Sequence, residues 1–589
     1  MIRVQELIHK LEVGEWSRVV KILVLALSII ALMWWYDRRE YKNMHAPEAM
    51  EAGQLARNLA AGRGFTTLCI RPLSISLVEK NLGVRLSQAP HPDLVNPPVY
   101  PLLLAGLMKV AELMKAPFNF QLDRRSIGPY QPEMRIAVFN QALFLLMAWL
   151  MFRLARRLFD LPVALLTGLL LVGSDVLWRF SVSGLSTMLL LLILTGVVWG
   201  LALLERAARE GQRGWAWFVG WAIAVGLLLG LGGLTRYSFA WLIVPVLGFC
   251  ALYLGPRRGV VCGLVAAVFL AVMLPWLARN YRLSGAWFGL SGYALQQETQ
   301  PFPGAQLERS LNPDLKKVTL PDYIRKFLVN ASDIVQSELP KLGGSWVTAF
   351  FLVGLMLPFR NPTLSRLRVW VVASLALLTV VQALGRTHLS ADTLTINSEN
   401  LLVLLAPLVF MYGAGMFHVL LSQVRLPFPE ARHAVVGLFG AVGCAGLIFT
   451  LLPPRSVPLV YPPYLPPWIQ ESAQLMNQQE LMMSDMPWAV AWYGERPCVW
   501  ATLDAGESFY KIHDWHKNIK ALYLTPLTTD SRCLTQMLEG AGGGWGTFYL
   551  DVMFRSNVPP HFPLQDARAG YVPAQLLLCD RPRWKERGR

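Results

Sequence analysis

Apolar runs long enough to cross a bilayer, set apart by short arginine-rich turns, leave this chain few ways to fold. Eleven such runs stand at about residues 19–36, 136–153, 160–177, 186–204, 215–233, 238–254, 259–278, 344–358, 368–385, 400–421 and 433–452. In hydrocarbon every backbone N–H and C=O must find its partner inside the protein, so runs of this length read as helices. Composition points the same way: 16% of the residues are charged, against about 25% in a soluble domain. The expectation is a mainly α, polytopic membrane protein.

A net charge of +16 raises nucleic acid as a partner, and the distribution of that charge removes it. Arginines gather in every second turn: Arg153, Arg156 and Arg157; Arg206, Arg209 and Arg213; Arg257 and Arg258; Arg360, Arg366 and Arg368; Arg425 and Arg432. Arg3, Lys10, Arg18 and Lys21 precede or open the first span. Basic turns mark the cytoplasmic side. The N-terminus is therefore expected inside and, with an odd number of spans, the C-terminus outside. The first run ends in "MWWYDRREY" with no small-residue cleavage site, so it reads as a retained anchor with an interfacial aromatic belt.

Three regions outside the spans are large. Within a membrane domain covering 1–452, a first external loop runs over 37–135 and a second over 279–343; a C-terminal external domain covers 453–589. Residues 97–116 are apolar but interrupted by Lys109, Glu112 and Lys115, the pattern of a helix lying on the interface. The tail opens with a Pro-rich linker and continues with strand-like runs such as "PCVWATL" and "ALYLTPL" between Gly, Pro and Asp punctuation, which predicts a small α/β domain. Its "SDMPWAVAWYGERPCVW" holds Asp485, Trp488, Trp492, Tyr493 and Arg496, facing either a sugar or partner or, more simply, the domain core.

Cys250, Cys262 and Cys444 fall within spans, whereas Cys69, Cys498, Cys533 and Cys579 fall outside them. A Cys533–Cys579 bridge is compatible with an oxidising compartment, although spacing cannot assign it. No CxxC or metal-ligand spacing occurs; a divalent cation could assist the chemistry, but nothing demands one.

The residues able to carry chemistry lie in the external loops and at the outer span ends. In "HAPEAMEAGQLARNLAAGRGF" Pro47 opens a helix with Glu48 and Glu51 on one face. Acids in a first turn complement the helix dipole; at a membrane surface they can also serve as a general base or bind a cation. Arg71 sits in "CIRPLSI", and His91 and Asp93 precede "NPPVYPLLLAG". The outer span ends add Asp175 and Arg179, Arg236, Trp276, Arg279 and Asn280, Arg386 and His388, and Glu399. Any one of these can be a polar residue at a span end, where it costs little. Together, carboxylates and several arginines on one side suit an anionic, phosphate-bearing substrate.

The order of a first span, an acid before "ARNLAAGRGF", then "NPPVYPLLLAG" and a span ending "RLARRLF" resembles the GT-C glycosyltransferases. Within these it is similar to the bacterial family-39-like branch of protein mannosyltransferases and aminoarabinose transferases. "GLLLGLGGLTRYS" and "LPWLARNY" resemble that branch too, so motifs cover about residues 19–285. The resemblance implies a GT-C fold in a bacterial inner membrane and a polyprenyl-phosphate-linked sugar as donor. It also implies a glycan, lipid or protein acceptor and a catalytic acid in the first external loop.

Two departures matter. The family usually has Asp at the start of the loop helix, where Glu48 stands here, and Glu51 takes a position that is often aromatic. "NSENLLVLLAP" lacks the "RY" often found before that span. The expected base is therefore Glu48, or else Glu51 or Asp93, acting by inverting displacement. Arg57, Arg71, His91, Arg236, Arg279, Asn280 and His388 are the candidates to hold the donor phosphate or substrate. A flippase or transporter of lipid-linked sugars, and a non-catalytic membrane scaffold, are the alternatives. Broken spans with ionisable residues near mid-membrane would favour transport.

Overall fold

The computed structural model describes residues 15–41, 43–122, 129–357, 359–392, 396–426, 428–453, 466–529, 544–569 and 575–586. The described residues are mainly helical, with one six-stranded sheet. Seven helices are long and apolar enough to cross a membrane: Val19–Glu40, Gln131–Leu158, Thr187–Glu210, Trp215–Gly233, Gly255–Ser284, Pro362–Gly385 and Leu402–Gln423. Three bent pairs bring the number to as many as ten, and the shorter apolar helix Tyr237–Tyr253 matches the span read at 238–254.

The bent pairs revise three of the runs read as straight. Residues 160–177 correspond to Leu161–Val172 and Asp175–Val182, which meet at 51°, and 433–452 to Glu430–Gly443 and Ala445–Leu451, which meet at 61°. The two breaks touch. A Cβ on Gly173 would lie 2.0 Å from the Cys444 sulfur, so only a glycine lets the two backbones approach so closely. The run at 344–358 holds a helix, Trp346–Met356, of 11 residues. That is about 17 Å of helix, short of the roughly 30 Å of hydrocarbon. It joins Leu320–Lys341 at 108°, and that partner helix was read from the sequence as external loop.

The motif "GLLLGLGG" is explained by packing. Cβ atoms on Gly226 and Gly230 would fall 2.8 Å from the Val265 carbonyl oxygen and 2.7 Å from Val272 Cβ. These small residues let the Trp215–Gly233 helix lie directly against the long helix that ends at Ser284, as small residues do between membrane helices.

The sheet runs in the order β1 (Cys69–Ile70), β3 (Cys498–Trp500), β2 (Leu481–Ser484), β4 (Ile519–Leu524), β6 (Leu576–Cys579), β5 (Asp566–Ala569). The first four of these are parallel, and β6 and β5 add in antiparallel fashion. β1 comes from the first loop, so the tail sheet is completed by a strand more than 400 residues earlier, with Cys69 opposite Cys498. Among the described residues, buried Cys69, Cys498 and Cys579 form no disulfide. Cys533 and most of the Pro-rich linker lie outside the described residues.

Further contacts fasten the first loop to the tail. The Pro47–Ala60 helix brings Gly53 against the ring of Trp492, where a Cβ would sit 3.0 Å away. Trp492 Nε1 and the Met44 amide each donate to the buried Glu133 carboxylate at 2.7 Å. Glu495 accepts from Arg57 at 2.6 Å and from Arg63 at 2.8 Å. Trp492 and Tyr493 are thus core residues, packed on Tyr130. Val99–Leu113 forms a helix with Tyr100 and Leu104 buried and Leu102, Leu103, Val110 and Leu113 exposed, the two-faced character expected of an interfacial helix.

Candidate functional site

Two carboxylates leave the first turns of the loop helix and meet different surroundings. Pro47 fixes the helix start, and a spacing of three residues puts Glu48 and Glu51 side by side. Glu51 is 1% exposed. Its Oε1 accepts from Arg71 Nη2 at 2.8 Å and its Oε2 from Arg71 Nη1 at 3.1 Å. Arg71 stands at the junction of β1 and the Pro72–Leu82 helix. Its third donor, Nε, reaches Glu308 at 2.6 Å. This fork is the bidentate geometry at which guanidinium excels. Burial opposes the charge on Arg71, but Glu51 and Glu308 outweigh it and hold its pKa well above the ordinary value. Burial likewise works against ionised Glu308, and Arg71 followed by His388 holds its carboxyl below the usual range.

Asp93 is committed elsewhere. Its Oδ1 accepts from the backbone amides of Val95 at 3.0 Å and Asn96 at 2.7 Å, which makes it the cap of its own turn. Burial raises its pKa against the hydrogen bonds from Asn96. Asn96 Nδ2 bridges Asp93 Oδ2 at 3.2 Å and Glu51 Oε2 at 3.1 Å.

Glu48 has the looser setting. It is half-buried, and its Oε1 accepts a hydrogen bond from Ser398 Oγ. Burial raises its pKa, Ser398 lowers it, Glu399 raises it and Arg236 lowers it; the net direction is upward. Glu399 is buried and receives the Thr387 amide at 3.0 Å, the Thr387 hydroxyl at 2.6 Å and the Ser390 hydroxyl. Arg236 Nε donates to Ser238 at 3.0 Å, and the arginine lies within the electrostatic reach of Glu48 and Glu399.

The other sequence candidates distribute unevenly. Arg279 donates to the carbonyls of Asp93 at 2.8 Å and Phe65 at 3.3 Å and stacks on Trp276, while Asn280 donates to the Tyr237 hydroxyl at 3.0 Å. Arg279 holds the loop on its span, and Asn280 ties that span to the start of the Tyr237–Tyr253 helix. His388 is buried, its ring 5.5 Å from that of Trp500, with no hydrogen bond to Nδ1 among the described residues. Arg57 is drawn away to Glu495 and Phe120. His91 faces Ser74 at 2.8 Å and lines a separate apolar cavity of about 230 Å³; burial, then His516, lowers its pKa to about 4.

Glu308, Ser398 and Asn96 complete these clusters without having been singled out. Asn96 lay inside a quoted motif, and Ser398 adjoins Glu399. Glu308 is 237 residues from Arg71, and nothing local signals it. Among the described residues no group of three or more His, Cys, Asp or Glu could hold a metal ion. Glu51, Asp93 and Glu308 are already engaged by Arg71 and amides, so these residues do not fit a cation site.

Residues 130–278 match the family model described as dolichyl-phosphate-mannose-protein mannosyltransferase. No curated protein matches the chain by sequence. Solved structures do match. ArnT from Cupriavidus metallidurans bound to undecaprenyl phosphate aligns with TM-score 0.54 at 11% identity, over 96% of this chain and 99% of that one. The Archaeoglobus fulgidus oligosaccharyltransferase AglB, in complex with an inhibitory peptide and a dolichol-phosphate, aligns with TM-score 0.54 at 11% identity, over 88% and 71%. A further Archaeoglobus fulgidus oligosaccharyltransferase structure, with Zn and sulfate, gives TM-score 0.53 at 12% identity over 86% and 69%.

The architecture and the placement of the loop helix thus define a multi-pass membrane protein with the fold of the GT-C glycosyltransferases. The family match covers its second through seventh spans, and the structural likeness along the rest is a likeness of fold.

Proposed function

We propose that this chain transfers a sugar from a polyprenyl-phosphate donor to an acceptor hydroxyl, on the membrane face carrying the two large loops, with Glu48 as general base. The observation that carries this reading is the division of labour among the three acids. Glu51 is clamped by Arg71 and Asp93 caps a turn, whereas Glu48 keeps a half-buried carboxylate with raised proton affinity. A base of raised pKa takes a proton more readily near neutrality. Glu48 removes the hydroxyl proton as the acceptor oxygen attacks the anomeric carbon; that bond forms with inversion while the bond to the lipid phosphate breaks.

Arg236 is the arginine of the set that stands beside Glu48 without a direct carboxylate contact among the described residues. It is assigned to the leaving phosphate, where one well-placed donor is worth about 3 kcal/mol of barrier. The basic turns support a cytoplasmic N-terminus with the tail outside, and the resemblance to the bacterial branch supports an inner-membrane setting. The dolichol- and undecaprenyl-phosphate named for the structural neighbours support the donor class.

The test is a transfer assay on purified protein with a panel of polyprenyl-phosphate sugars and candidate acceptors. Release of polyprenyl phosphate with a new glycosidic bond is expected for at least one pair. The three bent spans favour a second reading, translocation of a lipid-linked sugar. Lipid flipping in proteoliposomes with no transfer to any acceptor would replace the first reading by that one.

A further inference from the structure

The end of the bundle away from the loop helix holds a recess whose chemistry the transfer reaction does not use. It opens between the ends of the Gln131–Leu158 and Thr187–Glu210 helices and the start of the Pro362–Gly385 helix, with a volume of about 250 Å³. Glu133, which touches Trp492 beside the loop helix, and Arg157, at the recess, are 24 positions apart on one helix. At 1.5 Å per residue that is about 36 Å, so the recess is remote from Glu48.

The lining has two characters. Leu154, Leu158, Trp199 and Leu203 give an apolar floor, and Arg157, Arg206, Arg209 and Glu210 give the rim. The wall is braced by Glu205, which is fully buried and accepts from Thr363 at 2.5 Å, Arg366 at 2.7 Å and Arg209 at 3.4 Å. Arg206 meets Glu210 at 2.8 Å and no other carboxylate among the described residues. Arg157 stands 6.0 Å from the Trp199 ring centroid and has no carboxylate partner among the described residues. Arg157, Arg206, Arg209 and Arg366 against Glu205 and Glu210 leave two positive charges at the recess. Topology alone explains arginines in a turn. It does not explain a cavity between helices in which leucine and tryptophan side chains meet a cationic rim.

We propose that this recess binds the phosphodiester of an anionic phospholipid from the leaflet at the basic end, with the arginines on the phosphate and the start of an acyl chain on the floor. Interhelical basic pockets on that side of membrane proteins suit such head groups. The apolar side chains set a lipid apart from free phosphate, which would leave the half-buried Trp199 and Leu203 against water. Occupancy would pin the three helix ends together without touching the transfer site.

The test uses the full chain in neutral detergent, with native mass spectrometry following dioleoyl-phosphatidylglycerol, dioleoyl-phosphatidylcholine as neutral control, and inorganic phosphate as competitor. One saturable phosphatidylglycerol is expected, unmatched by phosphatidylcholine and not displaced by millimolar phosphate. The pair Arg157→Gln with Arg206→Gln should weaken it about thirtyfold, from two charges at about 1 kcal/mol each. Leu203→Trp, which fills the floor and keeps every charge, should also weaken it. Equal retention by the wild-type chain and both variants overturns the proposal. So does displacement by inorganic phosphate, which would make a free anion the occupant.

Discussion

Replacing Arg71 by Met removes the guanidinium that bridges two buried carboxylates, Glu51 at 1% and Glu308 at 9% exposure. Three hydrogen bonds of 2.6, 2.8 and 3.1 Å are lost together. Breaking a buried ion pair from one side costs about 3–5 kcal/mol, because the partner charge is left uncompensated. The sign of the pH response follows from Glu308. In the wild-type chain Arg71 holds its folded pKa below the unfolded value, so its contribution is present above that unfolded value and fades as pH falls. Without Arg71, burial dominates, the folded site takes up a proton the unfolded chain releases, and stability increases as pH falls from neutral toward 5. Unfolding midpoints in detergent at pH 7.5 and 5.5 read both effects. Arg71→Met should have a clearly lower midpoint at pH 7.5 and recover much of the difference at pH 5.5; adding Glu51→Gln should restore part of it at pH 7.5. A variant matching the wild-type midpoint at both pH values would refute the reasoning.

Glu133→Ala removes the carboxylate that the Trp492 indole N–H donates to, at about 1–3 kcal/mol for a buried donor left unmade; faster proteolytic release of the tail should report it. Gly230→Ile drives a side chain into Val272, 2.7 Å from the first added carbon, and should lower thermal stability by about 1–3 kcal/mol as overpacking does. His91, with its folded pKa near 4, is neutral at physiological pH. The unfolded chain takes up its proton first as pH falls below about 6.5, so His91 costs stability between roughly pH 6.5 and 4. Its ring resonances should stay fixed from pH 8 to 5.5, and a transition near 6.5 would contradict its burial.

The membrane part of the fold was legible because spanning segments write themselves as uninterrupted apolar runs. Breaks inside those runs were not. Gly173 and Cys444 look like ordinary apolar-run residues until the two bends are seen to pack on each other. The Leu320–Lys341 helix was hidden for the opposite reason, since its charged residues made it read as loop. In the tail, alternating short apolar runs signalled strands, but no local pattern shows that Cys69–Ile70 supplies an edge strand. The candidate site was partly legible. Position in the first loop singled out Glu48, Glu51, Asp93 and Arg71, and only the offset of Glu48 from "ARN" put it ahead of the other acids. Ranking them by surroundings depends on partners remote in sequence, Ser398 at 350 residues from Glu48 and Glu308 at 237 from Arg71.

The most direct measurement is the rate of sugar transfer by Glu48→Gln, with Glu51→Gln and Asp93→Asn compared in the same lipid-donor assay. Glutamine keeps the size and the acceptor oxygen for Ser398 while abolishing the base. Glu48→Gln should lower kcat by about 10²–10⁴, the usual worth of a general base, and wild-type kcat should rise with pH through a pKa above the ordinary carboxylate value. Undiminished transfer by Glu48→Gln, with the loss falling on Glu51→Gln or Asp93→Asn instead, would contradict the assignment.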